Sequence, residues 1–293
     1  MEHLKSILAA VDLSPCSRAA LAQAARLARR DGATLYVLHA IEPRVIEDLE
    51  EMMPKGSAVR DNVVKDARRE LEKFAGGTEA LFDVVVGPPL EAMLGKARAI
   101  SADLLVIGAY GMTGAGRGAG SLALQVARKS PLNVLLVDGR HTAAFDSALV
   151  GIDFSDHSAR AFDEALHVAR LEHCPLHAVH VFAPPWHRLH YRAPTPQASP
   201  DYQRQFRAAL QHRLEGFVAE RRKAAGKVEV TAALVEHTSY AQGTLDYARQ
   251  KGIDLVVVGT LGKTNLRYAL LGSTAERVVR DSPCSVLAIP PRD

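Results

Sequence analysis

The chain alternates short apolar runs with longer stretches in which apolar residues recur every three or four positions. The short runs are typical of buried strands, and the longer stretches have the spacing of amphipathic helices. This alternation predicts an α/β fold with doubly wound parallel sheets, covered by helices on both faces and joined by right-handed crossovers. The ten predicted strands are residues 7–11, 34–39, 82–86, 104–108, 133–137, 149–152, 176–181, 228–234, 255–259 and 285–289.

The second half of the chain repeats the first. Segments 7–29, 103–111 and 120–137 align with segments 148–170, 254–262 and 272–289, and the offset grows only from 141 (148 minus 7) to 152 (272 minus 120). Such self-similarity indicates one fold used twice. The 293 residues also suit two domains at about 150 residues each. We therefore predict two tandem five-stranded domains, residues 1–140 and 141–293.

The second copy carries an insertion, residues 184–200, with five of the 15 prolines and the single tryptophan, Trp186. Proline at this density favours an extended loop over a helix. The loop follows the carboxyl end of a strand, where such sheets bind ligands, so one interpretation is a lid. The other is a surface loop before a helix near Asp201. That helix is predicted to bury one stripe, formed by Phe206, Leu210, Leu214 and Phe217.

Composition narrows the class of protein. Lysine and arginine (36) nearly balance aspartate and glutamate (33), so neither half is expected to read nucleic acid. Three scattered cysteines without a C-x-x-C pair favour a reducing cytosol over a disulfide framework or a zinc ribbon. The apolar run 7–11 is too short for a signal peptide, and no stretch approaches a membrane span. We therefore expect a cytoplasmic protein with no membrane or nucleic-acid partner.

The sharpest chemical signal follows the fourth strand of the second copy. Gly259 and Gly262 end that strand, nine residues intervene, and Gly272-Ser273 opens a helix. Backbone N–H groups would converge there on a helix N-terminus, which suits phosphate. Glycine fits because a Cβ would block either a positive φ or close approach to an anion. A P-loop would need a glycine at Val257, and a dinucleotide fingerprint would need glycines in the first strand–helix turn, so neither motif is present.

The chain resembles the universal stress protein family in its tandem form, and the pattern G-x2-G-x9-G-[ST] of residues 259–273 carries the resemblance. The resemblance implies a Rossmann-like fold of the adenine nucleotide alpha hydrolase type. It also implies a nucleotide-dependent stress-response regulator that binds ATP in the second domain, with Mg²⁺ or Mn²⁺ carried on the phosphates. Carried over by position, the nucleotide-binding residues are Asp153, Val181, Val258, Gly259, Gly262, Gly272, Ser273 and Thr274.

The first copy departs from this pattern, because only eight residues separate Gly111 from Gly120 and several of them are glycine. Two interpretations stay open, a weakened site or an anion loop in which Arg117 contacts phosphate. The matching positions of this possible second site are Asp12, Ala40, Gly108, Gly111, Gly120 and Ser121.

Several of these residues also have purely structural interpretations. Asp12 and Asp153 are candidates for hydrogen bonds to the following turn, Ser14 and Ser155 are expected N-caps, and Ser273 is a further candidate cap. Seven histidines fall between His157 and His190, but His177 and His180 are an odd number apart along a strand and face opposite ways, so we expect no metal site.

No catalytic residue can be named, because the sequence has no nucleophile elbow and no paired carboxylates beside a nucleophile. The alternatives to an ATP-binding regulator are an interaction module that holds another small ligand and a slow ATPase. The apolar last strands of the two copies are expected to pair with each other within the chain, and a homodimer is a further possibility by resemblance.

Overall fold

The computed structural model describes residues 3–54, 57–111, 119–184, 199–222, 226–261 and 271–291. Two compact units are formed, Met1–Ala143 together with Ser285–Arg292, and Ala144–Cys284. The predicted division after residue 140 describes the sequence repeat, whereas by compactness the last strand groups with the first unit.

The first unit alternates strands and helices as the sequence predicts. Its strands form a sheet in the order β3-β2-β1-β4-β5, all parallel. The elements are β1 (Ser6–Ala10), α1 (Pro15–Asp31), β2 (Thr34–Ile41), α2 (Pro43–Met52), α3 (Val59–Ala75), β3 (Leu81–Val86), α4 (Pro89–Ala99), β4 (Leu104–Gly108), α5 (Ser121–Lys129) and β5 (Asn133–Val137).

The second unit repeats this arrangement, with a parallel sheet in the order β9-β6-β7-β8. Its elements, with the closing strand of the chain, are β6 (Ala148–Gly151), α6 (Asp156–Glu172), β7 (Leu176–Phe182), α7 (Pro200–Arg222), β8 (Val230–Glu236), α8 (Tyr240–Lys251), β9 (Leu255–Gly259), α9 (Ser273–Asp281) and β10 (Ser285–Ile289). All ten predicted strands are present, with ends shifted by at most two residues.

The fifth strand of the second copy pairs with the fifth strand of the first copy. β10 joins the first unit antiparallel to β5, with Val286 opposite Leu136 and Ala288 opposite Val134. Both strands are buried and apolar, so the pairing covers an edge that would otherwise invite aggregation. The predicted pairing of the two last strands is therefore observed.

The strands build the core of each unit, because the central strands are buried on both faces. β1, β5 and β10 are buried at every position, and the largest fully buried side chains include Leu8, Leu105, Leu149 and Phe162. Apolar burial on both faces is what parallel sheets under two layers of helices require. Within the described ranges, no helix combines the length and the apolar character needed to span a bilayer.

Candidate functional site

The second glycine motif closes a turn between β9 and α9. The Gly272 N–H donates to the Thr260 carbonyl at 2.6 Å, and α9 begins at the next residue, Ser273. In the first unit the Gly120 N–H donates to the Ala109 carbonyl at 2.7 Å in the corresponding turn. The two copies therefore share one backbone geometry on either side of the loop. Gly262 and the neighbouring Lys263 and Arg267, like Arg117 of the first copy, lie outside the described residues.

A cleft of about 610 Å³ opens at the carboxyl edge of β6, β7 and β9. This is the size of a small-molecule site, and its place is the one where doubly wound sheets bind ligands. The structure brings together in its walls all of the predicted nucleotide-binding residues that it describes: Asp153, Val181, Val258, Gly259, Gly272, Ser273 and Thr274.

The start of α9 leaves its first N–H groups available. Its N-cap residue is Gly272, which has no side chain that could cap the helix. Ser273 is the first helical residue, so it is not the N-cap that the sequence offered as an alternative. By contrast, the predicted N-caps are confirmed, since Ser14 Oγ accepts from the Ser17 N–H and Ser155 Oγ accepts from the Ser158 N–H. Uncapped N–H groups and the positive end of the helix dipole attract an anion to the α9 end of the cleft.

The first glycine of each motif is required by close packing. A Cβ at Gly108 would lie 3.0 Å from Cys16 Sγ, and a Cβ at Gly259 would lie 3.2 Å from the His157 carbonyl oxygen. Gly120 and Gly272 have φ of −68° and −66°, so a left-handed backbone is not the reason for glycine there. Close approach to an anion stays a prediction, and the contact that requires glycine at Gly108 and Gly259 is with the protein's own helices.

The two aspartates at the strand ends share one hydrogen-bonding pattern. Asp12 Oδ1 accepts from the Ser14 N–H at 3.0 Å, and Asp153 Oδ1 accepts from the Ser155 N–H at 2.9 Å and from the Ser155 hydroxyl at 2.5 Å. Both aspartates therefore accept hydrogen bonds from the following turn, as predicted. Asp153 also lines the cleft, so for this residue contact with a ligand is compatible with the turn.

The residue after each aspartate has a left-handed backbone. Leu13 and Phe154 both have φ of 64°, which for bulky residues costs on the order of 1–3 kcal/mol. The same unfavourable conformation at both copies indicates that the fold enforces it, and the effect is to turn the chain sharply from the aspartate into the capped helix.

Hydrogen bonding lowers the pKa of Asp12. Burial alone would raise it, but the Ser14 hydroxyl and N–H and the Ser17 hydroxyl outweigh burial by stabilising the carboxylate. Oδ2 of Asp12 lies 2.9 Å from the point where Gly111 would place a Cβ. The first unit therefore brings two of its predicted site residues, Asp12 and Gly111, into direct proximity.

The other predicted residues of the first copy occupy the matching places. Gly108 ends β4, Gly120 is the N-cap of α5 and Ser121 is its first residue, while Ala40 lies half-buried near the end of β2, opposite Val85. Cys16 lies in the first turn of α1, where burial raises the pKa of its thiol.

Sequence reasoning missed the wall of the cleft that α7 and α8 provide. Phe206 and Leu210 of α7 and Tyr240 and Thr244 of α8 line it, together with Phe182 at the end of β7. The i, i+4 spacing of each pair was the available signal. The residues predicted to form one buried stripe on α7 therefore differ in burial. Leu214 is fully buried, whereas Phe206 and Leu210 are half-buried and line the cleft.

The histidines of this region have structural partners. The Nδ1 atoms of His39 and His180 lie 2.8 and 2.7 Å from the carbonyl oxygens of Val11 and Ile152, in equivalent places of the two copies. His177, on the other face of its strand, pairs instead with the Tyr247 hydroxyl at 3.0 Å. Within the described part of the chain, no cluster of three or more metal-binding side chains is found.

The described lining of the cleft lacks the basic side chains that are usual at an anion site. Among the described lining residues there is a carboxylate, Asp153, but no lysine or arginine. Most of the wall is apolar or aromatic. Within the described lining, an anion would thus depend on the backbone N–H groups of α9 and on the hydroxyls of Ser273 and Thr274.

Comparison with known proteins agrees with this architecture. The model of the universal stress protein family matches residues 3–138 and again residues 144–290. A universal stress protein of Mycolicibacterium smegmatis is 30% identical over 307 aligned residues, covering 98% of this chain and 97% of that protein.

The same fold is found in a solved structure that spans the whole chain. A universal stress protein from Archaeoglobus fulgidus DSM 4304 has a TM-score of 0.63 at 20% identity, covering 98% of this chain and 97% of its own. A universal stress protein solved in complex with cAMP is 26% identical over 50% of this chain and 98% of its own, with a TM-score of 0.38. The chain described here therefore belongs to the universal stress protein family, in the form that carries two of its domains in tandem.

Proposed function

We propose that the cleft of the second unit binds an adenine nucleotide, ATP by family resemblance, and that the chain is a nucleotide-dependent stress-response regulator. One observation carries the proposal. Every nucleotide-binding residue that the resemblance assigns and the structure describes lies in the wall of one cleft. These residues come from three strands and one helix start, so the sequence does not bring them together by proximity along the chain.

The layout of the sheet assigns a part of the nucleotide to each end of the cleft. The phosphates belong at Gly272, Ser273 and Thr274, where the uncapped N–H groups of α9 point. β7 lies two strands away from β9, about 10 Å at ordinary strand spacing. The ribose then passes the Asp153 carboxylate, which accepts hydrogen bonds from hydroxyl groups, and the base lies against Val181 and the aromatic wall.

The divalent cation that the resemblance implies would come with the phosphates. Mg²⁺ is usually held by one or two carboxylates plus phosphate oxygens and water, not by a cage of protein ligands. Asp153 is the carboxylate in the described wall that suits this role. A bound cation would also supply the positive charge that the described side chains lack.

The direct test measures nucleotide on the purified protein. Protein that is denatured after purification should release an adenine nucleotide, detected by chromatography and mass spectrometry. A ligand at a hundred times its Kd stabilises the folded state by about 2.7 kcal/mol, so ATP should raise the Tm. Absence of released nucleotide together with an unchanged Tm in millimolar ATP or ADP, with and without Mg²⁺, would refute the proposal.

A matched pair of variants locates the site. Gly272→Val and Gly120→Val each place a branched side chain at a glycine N-cap of equal geometry, so both should cost a similar amount of stability. Gly272→Val should abolish the ATP-induced rise in Tm, and Gly120→Val should retain it. The opposite result would assign the nucleotide to the first unit and overturn the proposal.

A second candidate function is an interaction module that binds an apolar small molecule in the same cleft. The observation that favours it is the aromatic and aliphatic wall without a described cation. Native mass spectrometry separates the two candidates, because the bound mass identifies a nucleotide or an apolar compound. Competition of the apolar compound by ATP would show that one cleft holds both.

A further inference from the structure

The helix α2 of the first unit carries an apolar surface that the fold leaves exposed. Of its ten residues only Ile46 is buried, at 3% exposure, and it attaches the helix to the unit. Val45 and Leu49 are 47% and 37% exposed, and Met52 and the following Met53 are 82% and 51% exposed. Large side chains exposed together in this way, unlike single ones, mark interaction sites.

These side chains form one stripe. At about 100° per residue, Val45, Leu49 and Met52 project within about 60° of one another around the helix axis, and Met53 follows as the C-cap residue. Ile46 lies about 60° beyond Leu49 and packs into the core. Methionine is frequent on surfaces that dock helices, because its flexible side chain adapts to the partner. The stripe has the width of a helix-docking face.

The open edge of the stripe is acidic, and so is the helix as a whole. The helix has four acidic residues and one basic residue, Arg44, so its net charge is −3 within a chain whose net charge is +3. Asp48 lies along the open edge of the stripe, Glu47 and Glu51 lie on the back of the helix, and Glu50 lies beyond the core-facing Ile46. Among the described ion pairs, none involves these four carboxylates.

We propose that this face of α2 docks a basic amphipathic helix of a partner protein. An apolar stripe on the partner would cover Leu49 and Met52, and lysine or arginine along its open edge would meet Asp48, as charges beside a helix–helix seam do. The negative charge of α2 disfavours anionic lipid and nucleic acid, which attract basic surfaces. Charge complementarity therefore selects a basic peptide as the occupant.

The probe is a synthetic peptide of about 14 residues, four helical turns, made only of leucine and lysine with the leucines on one face. A second peptide of the same composition, with leucine and lysine alternating, controls for unspecific attraction. Fluorescence anisotropy of the labelled peptides on the full chain should show at least tenfold tighter binding of the amphipathic one. Its affinity should fall as salt rises, because the flanking charges are solvent-exposed.

Variants at exposed positions locate the contact. Leu49→Asp should weaken binding at least tenfold, while Leu81→Asp, at another exposed leucine (56%), should leave it unchanged. Asp48→Lys should weaken it several-fold, and Glu220→Lys, at an exposed glutamate of the second unit, should not. Circular dichroism should show unchanged folding for all four.

Three results would overturn the proposal. The first is equal binding of the two peptides, and the second is equal loss in Leu49→Asp and Leu81→Asp. The third is concentration-dependent self-association, seen by sedimentation without peptide and removed by Leu49→Asp. That result would mean that a second copy of this chain covers the stripe.

Discussion

The two units use the same turn around their glycine motifs but surround it with different side chains. Gly120 and Gly272 close the loop by equivalent hydrogen bonds, and Asp12 and Asp153 accept from equivalent serines. If α3 and α7 are aligned on Leu71 and Leu214, which are both fully buried, Val63 of the first unit is the counterpart of Phe206. When β4 is aligned with β9, the counterparts of Tyr240 and Thr244 in α8 are Pro89 and Met93 in α4.

This difference separates what the fold requires from what a ligand would require. The turn, its caps and the left-handed residue after the aspartate occur in both copies, so they are features of the fold. In the described part of the chain, the aromatic wall of α7 and α8 lies beside the complete motif, and the aligned positions of the first unit hold no aromatic residue. We therefore expect substitutions in the shared turn to lower the stability of either unit, with a loss of binding in addition at Gly272, and substitutions in the wall to affect binding.

The largest effect is expected at the first glycine of each motif. In Gly108→Val the added Cβ would lie 3.0 Å from Cys16 Sγ and 3.2 Å from backbone atoms of Cys16 and Ser17, so helix α1 must shift. Overpacking of this kind costs about 3 kcal/mol. Chemical denaturation should show this loss, and Gly259→Val should show a similar loss through its contact with His157.

Gly120→Ala is the control for that experiment, because the nearest atoms to its Cβ lie 3.8 Å away or more. A loss of stability at Gly120 as large as that at Gly108 would mean that the whole loop, and not the contact with α1, sets the need for glycine.

The next effect is expected at the aromatic wall. Phe206→Val gives the second unit the residue that the first unit has at the matching position, and it removes a ring that lies 6.0 Å from the Phe182 ring in the cleft. Stacking of a base on an aromatic ring contributes about 1–3 kcal/mol. We expect the Kd for ATP, measured by calorimetry, to rise about tenfold, which corresponds to about 1.4 kcal/mol.

Two controls make that result specific. The affinity of inorganic tripolyphosphate, measured by its competition with ATP, should be the same in Phe206→Val as in the native chain, because the phosphate end of the cleft is untouched. Val63→Ala in the first unit should leave the Kd for ATP unchanged. Unchanged ATP affinity in Phe206→Val would place the base elsewhere, whereas no ATP binding in the native chain would instead refute the nucleotide proposal itself.

The sequence predicted the parts of this comparison that depend on periodicity and repetition. The strands follow from their short apolar runs, and the helix caps at Ser14 and Ser155 follow from the residue types that accept from backbone N–H groups. The position of Asp153 in the cleft follows from the rule that ligands bind at the carboxyl edge of such sheets.

The remaining features depend on contacts between distant parts of the chain. Nothing local to Gly108 indicates that its neighbour is Cys16, more than 90 positions earlier, because that contact forms only when β4 packs beside α1. Phe206 and Tyr240 likewise meet the cleft through the packing of α7 and α8, so a helical pattern alone predicts burial for Phe206 and cannot show that it lines a cavity.

The smallest effect is expected from the titration of Asp12 in the shared turn. Its pKa is lowered in the folded state, because the hydrogen bonds from Ser14 and Ser17 outweigh burial. A lowered pKa means that the carboxylate stabilises the fold fully above its unfolded pKa of about 3.9, and that this contribution is lost as the pH falls through the folded value. The difference in unfolding free energy between the native chain and Asp12→Asn should therefore be constant near neutral pH and should narrow below about pH 3.9. Ser14→Ala removes a hydroxyl that lowers the pKa of Asp12, so in that background the difference in unfolding free energy should begin to narrow at a higher pH.

The contradicting result is a difference in unfolding free energy between the native chain and Asp12→Asn that stays constant throughout this pH range. It would show that the hydrogen bonds do not stabilise the carboxylate.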